Sequence, residues 1–230
     1  MIFSNSLGSL PCDIVFDNTP LKQVCHTKFL GVIFDNKLSW KLHIDNICKT
    51  ISRNIGVINR LKLQLPQSSL LMLYSSLILP YLNYGLLVWG NTHQTYLEKI
   101  LILQKRIIRI ICNAPIRFHT DPLFFENNIL KIKDLYSFQL GQFMYQYNSG
   151  ILPFVFHDMF LKNQRVHKYP TRHSDEFHLP LLRTFTAKNT FIYEGPKFWN
   201  SLHNDLRNSP SLKNFKYKLK NFLLHPYNHA

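Results

Sequence analysis

Two short apolar blocks near the amino terminus predict β-strands, because both are rich in Val, Ile and Phe and are bounded by turn-forming residues. They are residues 12–17 (CDIVFD) and 28–34 (KFLGVIF). Asn18, Thr19 and Pro20 follow the first block and are typical of a turn. Since two strands alone are only marginally stable in water, we expect this pair to need a further partner.

The pattern then changes from strand-like to helical. Isoleucines recur at three- and four-residue spacing and predict a helix over residues 40–63 with one apolar face, and Ser39 is the expected N-cap. The apolar face consists of Ile44, Ile47, Ile51, Ile55 and Ile58. Lys49, Arg53 and Arg60 fall on the opposite side, which is therefore basic.

A long uncharged stretch comes next, with no Asp, Glu, Lys or Arg from Leu63 to Leu97. Residues 70–89 within it are about as long as a membrane span. Serine, asparagine, tyrosine and proline interrupt this segment, which favours a buried helix pair bent at Pro80 over a span. The first helix of the pair is expected at 69–79.

Further helical patterns occupy the second half of the chain. Thr95 and Glu98 fit a capping box that opens a helix ending near Cys112, before Asn113. Helices are also expected over residues 134–147 and 211–224, and the basic, aperiodic stretch 163–190 is expected to form loops or a weak hairpin.

These elements predict a mainly α fold with a short amino-terminal β-hairpin, a helical bundle and a helical carboxy-terminal region. We expect three parts: residues 1–40, residues 41–112 and residues 113–230. In the last part, Lys213, Lys216 and Lys220 alternate with apolar residues on an amphipathic helix. Such a helix can lie on nucleic acid, on a membrane surface or on the domain, and docking on the domain is the favoured interpretation.

Composition adds that the chain folds and favours anionic partners. Its 230 residues are 46% hydrophobic and 14% aromatic, which excludes a disordered tail. Lys and Arg number 27 against 13 Asp and Glu, a net charge of +14. Residues 41–120 contribute ten of the basic groups and only Asp45 and Glu98 as acids, so the basic excess begins at the first long helix.

Cysteine and histidine spacing argues against a zinc site. Cys12, Cys25, Cys48 and Cys112 include no Cys-x-x-Cys pair, and scattered cysteines suit a reducing compartment. We expect no secretory signal, because the first residues show no charged region followed by a long apolar run. The histidines, among them His26, His43, His93, His119, His157, His167 and His173, are expected mostly at the surface or as caps. Trp40, Trp89 and Trp199 are expected to be core anchors.

Several sequence strings, in the right order, resemble one protein family. KFLGVIFDNKLSWKLHIDNI, residues 28–47, is similar to the strand-to-thumb junction of non-long-terminal-repeat (LINE-type, jockey-like) retrotransposon reverse transcriptases. The similarity continues through LILPYLNYGLLVWG (77–90) and LQKRIIRII (103–111), and reappears at 169–172 and in GPKFWNSL (195–202).

This resemblance implies the end of a palm with a primer-grip-like hairpin in residues 1–40, a thumb in 41–112 and an extension in 113–230. MIFS, residues 1–4, is similar to the end of the last palm motif. The fingers and the catalytic Asp-Asp pair would then lie upstream. An intact family enzyme would use Mg²⁺, held by paired carboxylates. This sequence has no Asp-Asp, and its one adjacent acidic pair, Asp175–Glu176, lies in the basic stretch. We therefore expect no catalytic residue and no polymerisation by this chain alone.

The resemblance also assigns candidate nucleic-acid contacts. It places Phe29, Leu30 and Gly31 at the primer end, and it places two basic groups on thumb helices, where such side chains contact phosphates. These groups are Lys49, Arg53 and Arg60, and Lys105, Arg106 and Arg109. The alternatives are an ordinary strand with one glycine and two solvated helix faces.

The functional prediction is a truncated RNA-directed DNA polymerase that binds RNA, DNA or an RNA–DNA hybrid duplex without polymerising. It would be intracellular, and the absent palm and fingers are a further candidate partner. The alternatives are a helical protein-interaction module and an inert relic of an element, including a chain that folds poorly because its first strands lack their sheet.

Overall fold

The computed structural model describes Met1, Phe3, residues 15–166 and residues 172–228, with the backbone alone for residues 185 and 186. Several features of the sequence lie outside the described residues. They are residues 2 and 4 of the MIFS string, the start of the first predicted strand at 12–14, Cys12, His167, and residues 169–171 of the family motif.

The amino-terminal strands form two separate antiparallel hairpins. Strand β1 (Val15–Phe16) pairs with β2 (Thr19–Pro20), and β3 (His26–Phe29) pairs with β4 (Val32–Asp35). The prediction of one continuous strand over 28–34, paired with the preceding strand, is therefore wrong. The chain instead reverses within that block, and its two halves pair with each other.

The reversal within residues 28–34 has a local cause in the backbone of Leu30 and Gly31. Their φ angles are 46° and 83°, and two successive positive φ values define the two-residue turn that best matches the twist of paired strands. Asp17 and Asn18, with φ angles of 50° and 57°, make the corresponding turn between β1 and β2. Gly31 is suited to this conformation, whereas Leu30 is not, so only one of the two residues signals the turn.

Helix α1 (Lys41–Leu61) confirms the predicted apolar face. All five isoleucines of that face are at most 4% exposed. Trp40, with a φ of 62°, occupies the cap position in place of the expected Ser39 and makes no side-chain cap bond, while Oγ of Ser39 accepts the N–H of Lys41, the first residue of the helix, at 3.4 Å. The Asp35 carboxylate accepts the backbone N–H of Ser39 at 3.0 Å and of Trp40 at 2.9 Å, so it orders the loop that precedes the helix.

The uncharged stretch forms α2 (Gln67–Leu77), α3 (Leu79–Asn83) and α4 (Leu86–Trp89). The helix pair bent near Pro80 is confirmed, with the break at Ile78 and the proline in the first turn of α3, where it loses no helical hydrogen bond. Within the part of the chain that the structure describes, no helix is both long and apolar enough to cross a bilayer.

Helix α5 (Gln94–Ile111) begins after His93, which makes no side-chain cap bond. The predicted capping box of Thr95 and Glu98 is therefore wrong, since Thr95 already lies inside the first turn. The helix ends as predicted. Asn113 has a φ of 49°, and the N–H of Ala114 donates to the carbonyl of Arg109 at 2.9 Å, the pattern of a Schellman motif.

The carboxy-terminal half contains further helices, of which α7 and α12 confirm the patterns at 134–147 and 211–224. The elements are α6 (Asp121–Glu126), α7 (Ile132–Asn148), a 3₁₀ turn (Phe154–Phe156), α8 (Asn163–Val166), α9 (Phe185–Lys188), α10 (Phe191–Ser201), α11 (Asn204–Arg207), α12 (Leu212–Leu224) and a 3₁₀ turn (His225–Asn228). In the stretch 163–190, the described residues form two short helices, loops and a β-bridge from Phe177 to Lys162.

One hydrophobic cluster runs from Ile44 on α1 to Tyr227 near the carboxy terminus. Within it, α1 packs on α5, and α7 packs on both α10 and α12. Trp89 and Trp199 are buried core anchors as expected, while Trp40 is half-buried. The mainly α fold class with short amino-terminal hairpins is confirmed, whereas the division into three parts at residues 40 and 112 stays a prediction.

Candidate nucleic-acid interface

The outer side of α1 presents a basic face formed by Lys49, Arg53 and Arg60. The three positions are separated by four and seven residues, about one and two helical turns, so they follow one line along the helix. All three are exposed because the isoleucines on the opposite side hold α1 against the core. Burial of that apolar face therefore decides which way the charges point.

Asp45 is the one acidic residue of α1, and its charge is compensated from outside the helix. Its Oδ1 atom lies 2.7 Å from Nζ of Lys99 on α5, and this hydrogen bond raises the pKa of Lys99. No ion pair among the described residues includes Lys49, Arg53 or Arg60, although Arg53 donates a hydrogen bond to Thr50 Oγ1 at 3.4 Å. The basic face thus keeps its full positive charge.

The second predicted basic group lies on α5 and is more involved in the fold. Arg106 is exposed, while Lys105 and Arg109 are half-buried. Nε of Arg109 donates to the carbonyl oxygen of Phe118 at 3.0 Å, which ties the loop after α5 back onto the helix. No hydrogen bond or ion pair within the described ranges links this group to the basic face of α1. Arg109 therefore has a structural role that its spacing in the sequence did not indicate.

The predicted primer-end residues form the tip of the β3–β4 hairpin. Phe29 and Leu30 are 63% and 73% exposed, and Gly31 is exposed beside them. Tyr84 anchors the tip, since its hydroxyl donates to the carbonyl oxygen of Leu30 at 2.5 Å. A Cβ atom added at Gly31 would lie 3.3 Å from Cε1 of Tyr84. Gly31 therefore serves both the turn and this contact, while the two apolar side chains remain free of the core.

His43 connects the hairpin to α1. It is buried, unlike the surface or capping positions that were expected for most of the histidines. It is 4% exposed, its ring packs edge-on against Trp89, and its Nδ1 accepts the N–H of Ile33 at 3.4 Å. Burial lowers the pKa of His43. Its position on the apolar side of α1, next to Ile44, is the one sequence signal for burial.

Gln104 is a second buried polar residue that sequence reasoning missed. Its Oε1 accepts the N–H of Ile132 at 2.8 Å, and its Nε2 donates to the carbonyl of Leu130 at 3.2 Å. These bonds join α5 to the start of α7, so they position the helix that carries Lys105 and Arg106. The sequence signal is its spacing from Ile100, Ile107 and Ile111, which places it on the buried side of α5.

The chain is similar in sequence to RNA-directed DNA polymerases of mobile elements. Over 135 residues, 57% of this chain, it is 30% identical to the RNA-directed DNA polymerase from mobile element jockey of Drosophila melanogaster and 27% identical to that of Drosophila funebris. It is 26% identical over 106 residues to the probable RNA-directed DNA polymerase from transposon X-element of Drosophila melanogaster. The chain is thus similar to a segment of non-LTR retrotransposon reverse transcriptases.

These relatives confirm the resemblance to a segment of a non-LTR retrotransposon reverse transcriptase. The chain spans 15% of the length of either jockey polymerase and 12% of the X-element protein. No model of a known protein family matches the chain, and neither does any solved structure. The reverse transcriptase relationship therefore rests on the aligned sequences of these polymerases.

A two-metal polymerase site is held by paired carboxylates. The sequence has no Asp-Asp pair. Among the residues that the structure describes, no group of three or more His, Cys, Asp or Glu is arranged to hold a metal ion. Asp35 is the buried carboxylate of the hairpin region, and its oxygens already accept hydrogen bonds from the loop after β4. No catalytic step is assigned to it.

Proposed function

We propose that this chain is a duplex-binding segment of a non-LTR retrotransposon reverse transcriptase. In this proposal the basic face of α1 contacts the backbone of an RNA–DNA hybrid, and the chain by itself does not polymerise DNA. The observation that carries the proposal is that Lys49, Arg53 and Arg60 are aligned, exposed and without an acidic partner among the described residues. The polymerase relatives provide the second support.

The dimensions of α1 suit a duplex backbone. From Lys49 to Arg60 the helix rises about 16 Å at about 1.5 Å per residue. One strand of a duplex carries a phosphate roughly every 3.4 Å along its axis, so the face spans several phosphates. Contacts to phosphates fix the position of a protein without reading sequence. We therefore expect duplex binding that depends on salt and tolerates changes of sequence.

The tip of the β3–β4 hairpin adds an apolar surface to the basic face of α1. Phe29 and Leu30 are apolar and exposed, while the carbonyl of Leu30 is held by Tyr84. We propose that this tip supports the primer end of the bound duplex, as the family resemblance implies. On α5, Arg106 and Lys105 are proposed as additional phosphate contacts, and Arg109 contributes chiefly by holding the loop at Phe118.

The direct test measures binding of an RNA–DNA hybrid to the purified chain by fluorescence anisotropy. The variant Lys49→Ala/Arg53→Ala/Arg60→Ala removes the basic face. The matched control Arg165→Ala/Arg183→Ala/Lys188→Ala also removes one lysine and two arginines, all exposed and all outside α1. Circular dichroism of each variant establishes that α1 and the remaining helices still form.

The proposal predicts that the α1 variant binds at least tenfold more weakly than the control, which corresponds to about 1.4 kcal/mol or more. Equal weakening in both variants would mean that only net charge matters and would overturn the assignment of the face. A polymerase assay with Mg²⁺ and a primed template accompanies the binding test. Nucleotide addition by this chain alone would overturn the second half of the proposal.

A second role is favoured by the apolar surface of the first hairpin and the segment that follows it. Large apolar side chains there are 41–72% exposed: Val15, Phe16, Leu21 and Val24. Short two-stranded hairpins with such surfaces are stabilised by packing against further structure. We propose that this surface packs against the palm of a jockey-type polymerase. Co-purification with a separately expressed palm should be lost in Phe16→Ser, and retention of the complex would refute this contact.

A further inference from the structure

A groove of about 660 Å³ lies between α2 and α3 on one side and α7 on the other. The loop of residues 127–130 closes one end, and Lys220 of α12 lies at its edge. This volume falls within the range of small-molecule and cofactor sites. The elements that form the groove do not contribute to the basic face of α1, so a ligand in the groove would be independent of the proposed duplex site.

The lining of the groove combines apolar walls with side-chain amides and contains no carboxylate among the described residues. Leu79 and Phe138 are among the apolar walls, and the amides are Asn83, Asn127, Asn128, Gln139 and Gln142. Nε2 of Gln139 donates to Asn83, and Nε2 of Gln142 donates to the carbonyl of Phe138. Their amide groups are therefore fixed in orientation, with both side-chain oxygens left available as acceptors.

Lys220 is a half-buried cation without a partner in the described part of the chain. It makes no hydrogen bond or ion pair there, and burial lowers the pKa of its ammonium group. Withdrawing an unpaired charge from water costs free energy, and an anion bound beside it would offset that cost. Since the lining of the groove supplies no carboxylate, an anion beside Lys220 would come from a ligand.

Lys220 also ends a basic line on α12. Phe215 and Leu219 are fully buried and fix the rotation of this helix, which leaves Lys213, Lys216 and Lys220 at spacings of three and four residues along one side. Such spacings place side chains next to one another on a helix. The helix contains no acidic residue. An anionic chain laid along this line would lead directly into the groove.

We propose that the groove binds one nucleotide of a single-stranded RNA, with phosphates on the line of Lys213, Lys216 and Lys220 and the base inside. Proteins recognise unpaired RNA by stacking bases on aromatic rings and by hydrogen bonds to base edges. Phe138 offers a ring in the groove wall, and Gln139 and Gln142 offer oriented acceptors. A strand suits the site better than a free nucleotide because the line of lysines continues outside the groove.

The test uses the full chain and the change Lys220→Met, which keeps the length of the side chain and removes its charge. Lys218→Met is the matched control, because Lys218 lies on the same helix but is exposed, and its Nζ donates to the carbonyl of Asp205 at 3.2 Å. Gln142→Leu is the second variant and removes an acceptor inside the groove. The probes are a labelled single-stranded RNA oligonucleotide, adenosine monophosphate as competitor, and an RNA duplex.

The proposal predicts that Lys220→Met and Gln142→Leu each bind the single strand at least fivefold more weakly than Lys218→Met. Displacement of the strand by adenosine monophosphate would support a site that accepts one nucleotide, whether it is free or part of a strand. Failure of the mononucleotide to compete, with both groove variants still weakened, would support a site that requires a strand. Single-strand affinity that is the same in all three variants would overturn the proposal, whatever the result for the α1 face.

Discussion

The carboxylate of Asp35 accepts the backbone N–H of Trp40 at 2.9 Å and thereby starts helix α1 from the end of strand β4. Its other oxygen accepts the N–H groups of Lys37 and Ser39, at 3.1 and 3.0 Å. One buried side chain therefore satisfies three backbone donors of the connecting loop. This arrangement fixes where α1 begins and how the hairpin is placed relative to it.

Replacing Asp35 should consequently destabilise the fold. Asp35→Asn keeps the shape of the side chain but exchanges one acceptor oxygen for a donor, so at least one loop N–H loses its partner. The expected loss in the free energy of unfolding is about 2 kcal/mol, measured by urea denaturation. Asp17→Asn is the control, since Asp17 is exposed in a turn that asparagine also favours. Equal unfolding midpoints for both variants would contradict this role of Asp35.

The buried His43 should make the fold sensitive to mild acid. Burial lowers its pKa below the usual 6.5, so near and below that pH the unfolded chain binds the proton more readily than the folded chain. The stabilisation is complete above pH 6.5 and is lost progressively as the pH falls through the folded pKa. Unfolding measured across this range should show a shallower pH dependence in His43→Asn. An unchanged dependence would assign the acid sensitivity to other groups.

Gly56 lies inside α1 between Arg53 and Arg60, and a Cβ atom added there meets nothing within 4 Å. Glycine in a helix interior costs about 1 kcal/mol relative to alanine. Gly56→Ala should therefore raise the free energy of unfolding by about 0.5–1 kcal/mol, detected as a higher thermal midpoint. A lower midpoint would show that the helix requires glycine at this position.

A bulkier residue at the same position separates folding from duplex binding. Gly56→Leu should fold at least as stably as the wild type, because the space is open and leucine is a good helix former. It should nevertheless weaken binding of an RNA–DNA hybrid, since the side chain would stand on the proposed contact face. Gly56→Ala, which adds a single methyl group at the same position, serves as control. Similar affinities for both variants would place the duplex away from Gly56.

Gln104 should be needed for the junction of α5 and α7. Gln104→Met keeps the volume but leaves the N–H of Ile132 without its acceptor in a buried site, at a cost of about 1–3 kcal/mol. Gln94→Met on the exposed start of the same helix should change the free energy of unfolding little. Chemical denaturation compares the two variants. A Gln104→Met protein as stable as Gln94→Met would show that the bond contributes nothing.

The apolar face of α1 could be predicted because five isoleucines repeat at the helical period, and burial results directly from that repeat. The hydrophobic pattern did not indicate the turn between β3 and β4, because no repeat of residue types marks it. Leu30 adopts a positive φ that its side chain disfavours, and only its pairing with Gly31 and the bond from Tyr84 support the turn. Ser39 was expected to be the N-cap by residue type, yet Trp40 occupies that position, and a carboxylate four residues before Ser39 orders the loop.

The residues of the candidate site also include some that could be predicted from sequence and some that could not. The exposure of Lys49, Arg53 and Arg60 could be predicted from sequence because it results from their position opposite the apolar face of the helix. Gln104 was not assigned a role, and Lys220 was placed only on an amphipathic helix, because the role of each depends on neighbours that are distant along the chain. Gln104 meets residues of the loop before α7, and Lys220 faces a groove formed by helices far away in sequence. Periodicity identifies faces of helices but not their partners.

The salt dependence of hybrid binding is the sharpest test of duplex contact by α1. Each lysine or arginine that neutralises a phosphate contributes roughly one unit to the slope of log K against log salt concentration. We expect Lys49→Ala/Arg53→Ala/Arg60→Ala to reduce this slope by about three units, while Arg165→Ala/Arg183→Ala/Lys188→Ala leaves it close to that of the wild type. Identical slopes for the wild type and the α1 variant would contradict the proposal that this face binds the duplex.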